Sequence, residues 1–257
     1  MSANLLADVE RPLPAEDEML EDFLTQAVEV GAELGAQLDL HWGFEGLKDI
    51  PDREQPLFPG YDPDYGATGF WFSVRDAERG PESPIVGHFA AYALSIYPLN
   101  LADYIAQHSM YTSTRDHFVL EEPARGVAER INDMAVFIGC YWMHPDYRRS
   151  ALTRYLSWTS PMMLAAVGHA KWAAPHYFGF FKEGLAGSVL KRSRMLSQVP
   201  GVYWYRDGVP YGGVRYIGHL PAELALRDID TFVRTRRLSE GTSTRTSLDR
   251  QIPSSRS

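Results

Sequence analysis

One cysteine, Cys140, is all that 257 residues provide. With no second thiol there is no intramolecular disulfide, which suits a reducing compartment. Cys140 stands inside an apolar run and reads as a small buried hydrophobe rather than a nucleophile. Positive charge is also short: 25 Lys and Arg against 33 Asp and Glu give a net charge of −8. That argues against general nucleic-acid binding, which needs a basic face, but leaves room for a local basic site. No uncharged run approaches the roughly 20 residues of a membrane helix, so no membrane partner is expected. The start, MSANLLADVERPLPAEDEMLEDF, has neither the basic opening nor the apolar stretch of a secretory leader, and the expected location is cytoplasmic.

Apolar residues make up 45% of the chain and aromatics 12%, which is enough for a packed core. The length fits one large domain or a core with extensions. Met19, Leu20, Phe23, Leu24, Ala27, Val28 and Val30 recur at helical spacing, and the helix is expected to fade over Gly31–Gly35. Residues 41–68, with four prolines and scattered aromatics, read as a loop packed on the core. Thr68–Val74 and Ile85–Ile96 read as strands, and Leu101–Tyr111 as a short helix. The polar stretch 112–133 ends in a candidate helix. Trp172–Phe181 resembles a strand weakened by Pro175, and Glu183–Met195 a helix with a basic end. Asp207-Gly208 marks a hairpin between Val202–Arg206 and Val209–His219. Residues 235–257 are rich in Ser, Thr and Arg and read as an unordered tail.

The most informative stretch is MAVFIGCYWMHPDYRRSALTRYL, residues 134–156. An apolar run to Met143 meets a polar break, His144-Pro145-Asp146-Tyr147. Arg148 and Arg149 then open a segment with helical spacing, expected to break at Ser160-Pro161. A helix start offers unpaired backbone N–H groups and the positive end of the dipole, so this strand–turn–helix is suited to phosphate.

These residues resemble the acyl-CoA signature of the GNAT N-acyltransferases. There a strand ends in V-x-P-x-Y-R and enters an (Arg or Gln)-x-x-Gly-x-(Gly or Ala) loop and a helix. Met143-His144-Pro145-Asp146-Tyr147-Arg148 fits the first half. Arg148-Arg149-Ser150-Ala151-Leu152-Thr153 fits the second, with Ala151 and Thr153 at the two small positions. The resemblance implies an α/β fold with a mixed, mostly antiparallel central sheet, splayed near its fourth strand, with helices on both faces. It covers residues 68–234, leaving 1–67 as an N-terminal extension.

The activity implied is acyl transfer from acyl-CoA, most simply acetyl-CoA, to the amine of a small molecule or amino acid, with no metal. Trp142 and Met143 would polarise the thioester carbonyl through a backbone N–H, and Arg148, Arg149, Ser150, Ala151, Leu152 and Thr153 would hold the pyrophosphate. For the base that deprotonates the amine, His176 is the first candidate and His144 the second, since histidine titrates in the right range. His88 reads as structural, and Glu121, Glu122 and Asp133 as acids able to meet a cationic acceptor. Many members carry a tyrosine in the helix after the fifth strand to protonate the leaving thiolate. Glu183–Met195 has none, so Tyr177 or water would serve instead. Two other readings remain open. One is a long-chain N-acyl amino acid synthase, fed by acyl-CoA or acyl carrier protein, with Trp172, Tyr177, Phe178, Phe180 and Phe181 lining an acyl tunnel. The other is a GNAT-fold protein that binds ligand without turnover.

Overall fold

The computed structural model describes residues 17–47, 50, 69–80, 82–107, 116–185, 195 and 197–249. Among them a nine-stranded sheet carries helices on both faces. Its strands are β1 (Ala36–Trp42), β2 (Gly69–Asp76), β3 (Ile85–Asn100), β4 (Asp116–Leu120), β5 (Asn132–Met143), β6 (His176–Lys182), β7 (Ser197–Arg206), β8 (Val209–Pro210) and β9 (Arg215–Pro221). The order across the sheet is β1-β2-β3-β5-β6-β9-β7-β4, with β8 on β7. Every pairing is antiparallel except β5 with β6.

One face is covered by α1 (Asp17–Glu33), α4 (Ala151–Trp172) and α5 (Ala222–Asp249). The other face carries the short α2 (Leu101–Gln107) and α3 (Ala124–Ala128). Strand alternation sorts the core between them: Val136 and Ile138 of β5 point to the long helices, Ala135 and Phe137 to the short ones. The expected mixed, mostly antiparallel sheet is present.

The sheet begins earlier than residue 68. β1 runs seven residues beside β2, from Ala36↔Asp76 to Trp42↔Phe70. Its alternation, Leu38 and Leu40 against polar neighbours, is the period-2 signal of an edge strand. Phe44, Leu47 and Ile50 then pack into the short-helix face; 48, 49 and 51–68 lie outside the described residues.

Four sequence expectations are corrected. The helix does not break at Ser160-Pro161, because α4 runs through Pro161 to Trp172. An interior proline costs roughly 3 kcal/mol. Burying Met162, Met163, Leu164 and Val167 beyond it returns about 1.5–3 kcal/mol each, so packing wins. Trp172 therefore ends a helix, Ala173 caps it in the left-handed region (φ 49°), and the next strand begins only at His176. The polar stretch 112–133 contains the edge strand β4 as well as α3. The chain also keeps its order beyond residue 235, where α5 continues to Asp249. Arg236 Nη2 pairs with Glu33 at 2.9 Å and Arg237 with Asp22, which ties this helix to α1. Of the expected Glu183–Met195 helix, Glu183–Leu185 is a helical turn and 186–194 lie outside the described residues.

Asp207 (φ 50°) and Gly208 (φ 74°) both take positive φ, the signature of a type I′ hairpin turn. The strand after it stops at Pro210, and β9 starts afresh at Arg215 beyond Gly212 and Gly213.

Candidate active site

Where β5 and β6 meet, they hold together for only three register pairs: Ala135↔His176, Val136↔Tyr177 and Phe137↔Phe178. Gly179 permits one further close approach, because a Cβ there would lie 2.5 Å from the Ile138 carbonyl oxygen. Beyond that pinch the two strands are unpaired with each other. This leaves a gap bounded by the last residues of β5 on one lip and of β6 on the other. β5 is the fourth strand in sheet order, so the sheet splays where the resemblance expects it.

This is a GNAT-like fold.

The gap is bordered by an irregular strand. Between His88↔Trp142 and Ala90↔Gly139, Cys140 and Tyr141 oppose Phe89 alone, a β-bulge with Cys140 at φ 52°. Cys140 is thus half-buried at the bulge, not a core residue as expected. The His144 N–H donates to the Val86 carbonyl at 2.8 Å, so by alternation Trp142 also faces β3 and Met143 faces the gap. The Met143 carbonyl accepts from Arg148 Nε at 3.0 Å.

At the end of β5 a one-turn 3-10 helix, Pro145–Tyr147, leads into α4. Ser150 is the N-cap: its Oγ accepts the Thr153 N–H at 3.1 Å. The Thr153 hydroxyl donates back to the Tyr147 carbonyl, tying the first turn of α4 to the turn before it. Tyr147 in turn donates to Asp76 Oδ2 at 2.6 Å, which holds the carboxyl below its ordinary range and the phenol above its own. With Thr153 N–H capped and Arg154 N–H bonded to the Ser150 carbonyl at 3.3 Å, the amides of Ala151 and Leu152 lead the helix. Leu152's side chain is buried, so only its backbone can serve an anion, while Arg148 and Arg149 are exposed beside it.

The two histidine candidates are far apart. His144 caps the 3-10 turn, its Nδ1 accepting the Asp146 N–H at 3.4 Å. His176 sits at the closed end, opposite Ala135, which is eight positions from Met143 or roughly 25 Å along a strand at ~3.3 Å per residue. Its Nδ1 lies 3.2 Å from Nε2 of His219 on β9. Burial lowers the pKa of His176, partly offset by the Asp133 carboxylate. His219 is lowered to about 4 by burial, with His176 and Arg130 adding to the effect. Both rings are therefore neutral at pH 7 and free of a charge penalty.

Tyr177 is fully buried against the long helices. The proposed tunnel aromatics divide between faces: Trp172, Tyr177 and Phe181 pack on the long-helix side, Phe178 and Phe180 on the other. The second group continues into a cluster with Phe137 and Phe118, which lie 5.5 Å and 4.8 Å from Phe180. His88, buried and stacked 5.6 Å from Trp142, sits in the sheet as expected. Among the described residues no cluster of three His, Cys, Asp or Glu side chains is arranged for a metal, and no helix is long and apolar enough to cross a membrane.

No protein-family model and no curated protein matches the sequence. Among solved structures the chain is similar to NAA60 of Arabidopsis thaliana in complex with a bisubstrate analogue. Identity is 12% and the TM-score 0.42, over 72% of this chain and 98% of that one. It is similar to FeeM, an N-acyl amino acid synthase from uncultured soil microbes, at 9% identity and a TM-score of 0.35, over 83% and 88%. It is also similar to FdhC, a nucleotide-linked sugar GNAT, at 8% and 0.38, over 78% and 94%.

Sequence reasoning missed Gly179 and His219. Only Gly179 left a local mark, as a glycine inside an aromatic strand. His219 meets His176 through the pairing of β6 with β9.

Proposed function

We propose that the protein is an N-acyltransferase that moves an acyl group from a coenzyme A thioester to an amine. The observation that carries this reading is the gap between β5 and β6, which ends at the capped start of α4. A strand edge with an outward amide at Met143 and a bulge at Cys140–Tyr141 is suited to an extended, amide-bearing carrier arm. The helix start beyond it is suited to the carrier's pyrophosphate, through the Ala151 and Leu152 amides with Arg148 and Arg149 adding charge.

In the reaction the amine attacks the thioester carbonyl, the carbonyl carbon–sulfur bond breaks, and coenzyme A leaves as its thiolate. Backbone N–H groups from the bulge to Met143 stabilise the oxyanion formed on the way. His144, beside Met143, is the base in reach of the amine; His176, roughly 25 Å along the strand from Met143, is too far from the thioester carbonyl to take the amine proton. Water is the donor to the departing thiolate, because Tyr177 is fully buried on the long-helix face opposite Val136. The simplest donor is acetyl-CoA. The Phe118–Phe137–Phe180 cluster favours, as a second reading, a bulkier acyl chain, delivered by coenzyme A or by a carrier protein.

The test is thiol release from a panel of acyl-CoA thioesters with small amines and amino acids. Amine-dependent release supports transfer. Coenzyme A binding without release leaves a ligand-binding protein, and absence of binding removes the reading.

A further inference from the structure

The turn that leads into α4 is tied to a residue 71 positions away, at the far end of β2. Asp76 closes β2 and caps the one-turn 3-10 helix Ala77–Arg79, its Oδ1 accepting the Glu78 N–H at 3.0 Å. Its Oδ2 accepts the Tyr147 hydroxyl at 2.6 Å and lies 3.3 Å from Arg79 Nε. The turn that carries Asp76 is itself braced. Ser83 Oγ donates to the Asp76 carbonyl at 3.0 Å, and Arg75 donates to the Ser83 carbonyl. The Ala77 N–H donates to the Gly35 carbonyl at 2.9 Å, which joins the turn to the link between α1 and β1.

On the other side, Tyr147 ends the 3-10 turn Pro145–Tyr147. Its carbonyl accepts both the Ser150 N–H, at 3.1 Å, and the Thr153 hydroxyl. Ser150 Oγ in turn accepts the Thr153 N–H. One tyrosine therefore holds both members of the cap, and the cap decides that the amides of Ala151 and Leu152 are the ones left for an anion. Two turns of helix later, α1 enters again: the Tyr155 hydroxyl donates to the Ala27 carbonyl at 2.9 Å.

A bare carboxylate one tyrosine away from an anion-binding helix start would repel what that start holds. The charge of Asp76 is instead taken up by its partners. The phenol first, then the Glu78 N–H and Arg79, hold the carboxyl below its ordinary range. We propose that Asp76 is a positioning residue for donor binding: through Tyr147 it sets how the first turn of α4 presents its amides to the pyrophosphate. The pyrophosphate belongs to the acyltransferase reading, on which this assignment rests; the tie from Asp76 to the helix start does not.

Three variants separate positioning from charge. Tyr147→Phe removes the bond and leaves the Asp76 cap of its own turn in place. Asp76→Asn can still accept from the phenol, and Asp76→Ala cannot. In calorimetry with coenzyme A, Tyr147→Phe and Asp76→Ala should each weaken binding about tenfold, and Asp76→Asn less. The double variant Tyr147→Phe, Asp76→Ala should be no weaker than either single one, because both remove one bond. If Asp76 acts only through its charge, both Asp76 variants tighten binding. In kinetics, the KM for acyl-CoA should rise about tenfold in Tyr147→Phe with kcat and the amine KM held. A merely structural bond would lower the melting temperature and leave these affinities alone. Where Asp76→Ala does not fold, Tyr147→Phe carries the test. Unchanged or tighter coenzyme A binding in Tyr147→Phe overturns the proposal. If wild type binds no coenzyme A, the acyltransferase reading falls by itself, and inorganic phosphate titrated against the Ala151 and Leu152 amide resonances reads the same variants. Weaker phosphate binding in Tyr147→Phe then keeps the tie to the helix start, and equal or tighter binding overturns it.

Discussion

The two ends of the β5–β6 gap are built from different chemistry. At the closed end the strands are in register, and a pair of neutral histidines, His176 and His219, is held half-buried to buried with Asp133 and Arg130 nearby. At the open end the strands have parted and the side chains are cationic: Arg148, Arg149, Lys182 and Arg215. Burial drives imidazoles towards neutrality, while the helix start and guanidinium groups suit anions. The difference teaches that one splayed strand pair can hold neutral rings at one end and cations at the other.

The largest effect is expected beside Met143. His144→Ala should lower turnover by roughly 10²–10⁴ while leaving coenzyme A affinity nearly intact, whereas His176→Ala, at the closed end, should leave turnover nearly unchanged. Steady-state rates for both variants check this. Lost turnover in His176→Ala with full turnover in His144→Ala would put proton handling at the closed end.

Next is the pinch that divides the two ends. Gly179→Ala places a Cβ against the Ile138 carbonyl, a backbone atom that cannot turn aside. We expect a loss of about 1–3 kcal/mol, as for overpacking elsewhere, read as a fall in urea midpoint at unchanged m. An unchanged midpoint means that the strands part without needing the glycine.

At the open end, Arg148→Glu or Thr153→Glu should weaken coenzyme A binding by about 1–3 kcal/mol in calorimetry, through lost charge-assisted bonds and added repulsion. The Thr153 change also removes the hydroxyl bond to Tyr147, so the folded state of each variant is checked first.

The smallest effect concerns stability against pH. His219 is held at about 4, below its ordinary value of 6.5, so the unfolded chain binds the proton more readily. Its contribution is complete above about pH 6.5 and is lost as pH falls towards 4. Wild type should therefore lose a few degrees of melting temperature across that window, and His219→Gln should lose less.

Much of the open end was legible in the sequence, because its signals are local. An apolar strand, a Pro-containing turn, two arginines and a helix start stand within twenty residues, and each appears in place. The closed end was legible only in part: His176 was placed on the right strand, but its partner His219 comes from β9 across the sheet. The helix through Pro161 was misread because propensity alone favours a break there, while the burial that overrides it is tertiary. α5 was not read, although Ala225, Ile229 and Val233 recur every four residues and are buried, because the helical period runs into a Ser- and Thr-rich end with few apolar residues.

The central claim is that the carrier lies along the open lip of β5 and ends at the start of α4. The most direct measurement is the change in backbone amide resonances on adding coenzyme A to the labelled protein. The account predicts large shifts at Met143, Ala151 and Leu152, with Val136 and Tyr177 at the closed end nearly still. Saturable binding that leaves Met143, Ala151 and Leu152 unmoved would contradict it.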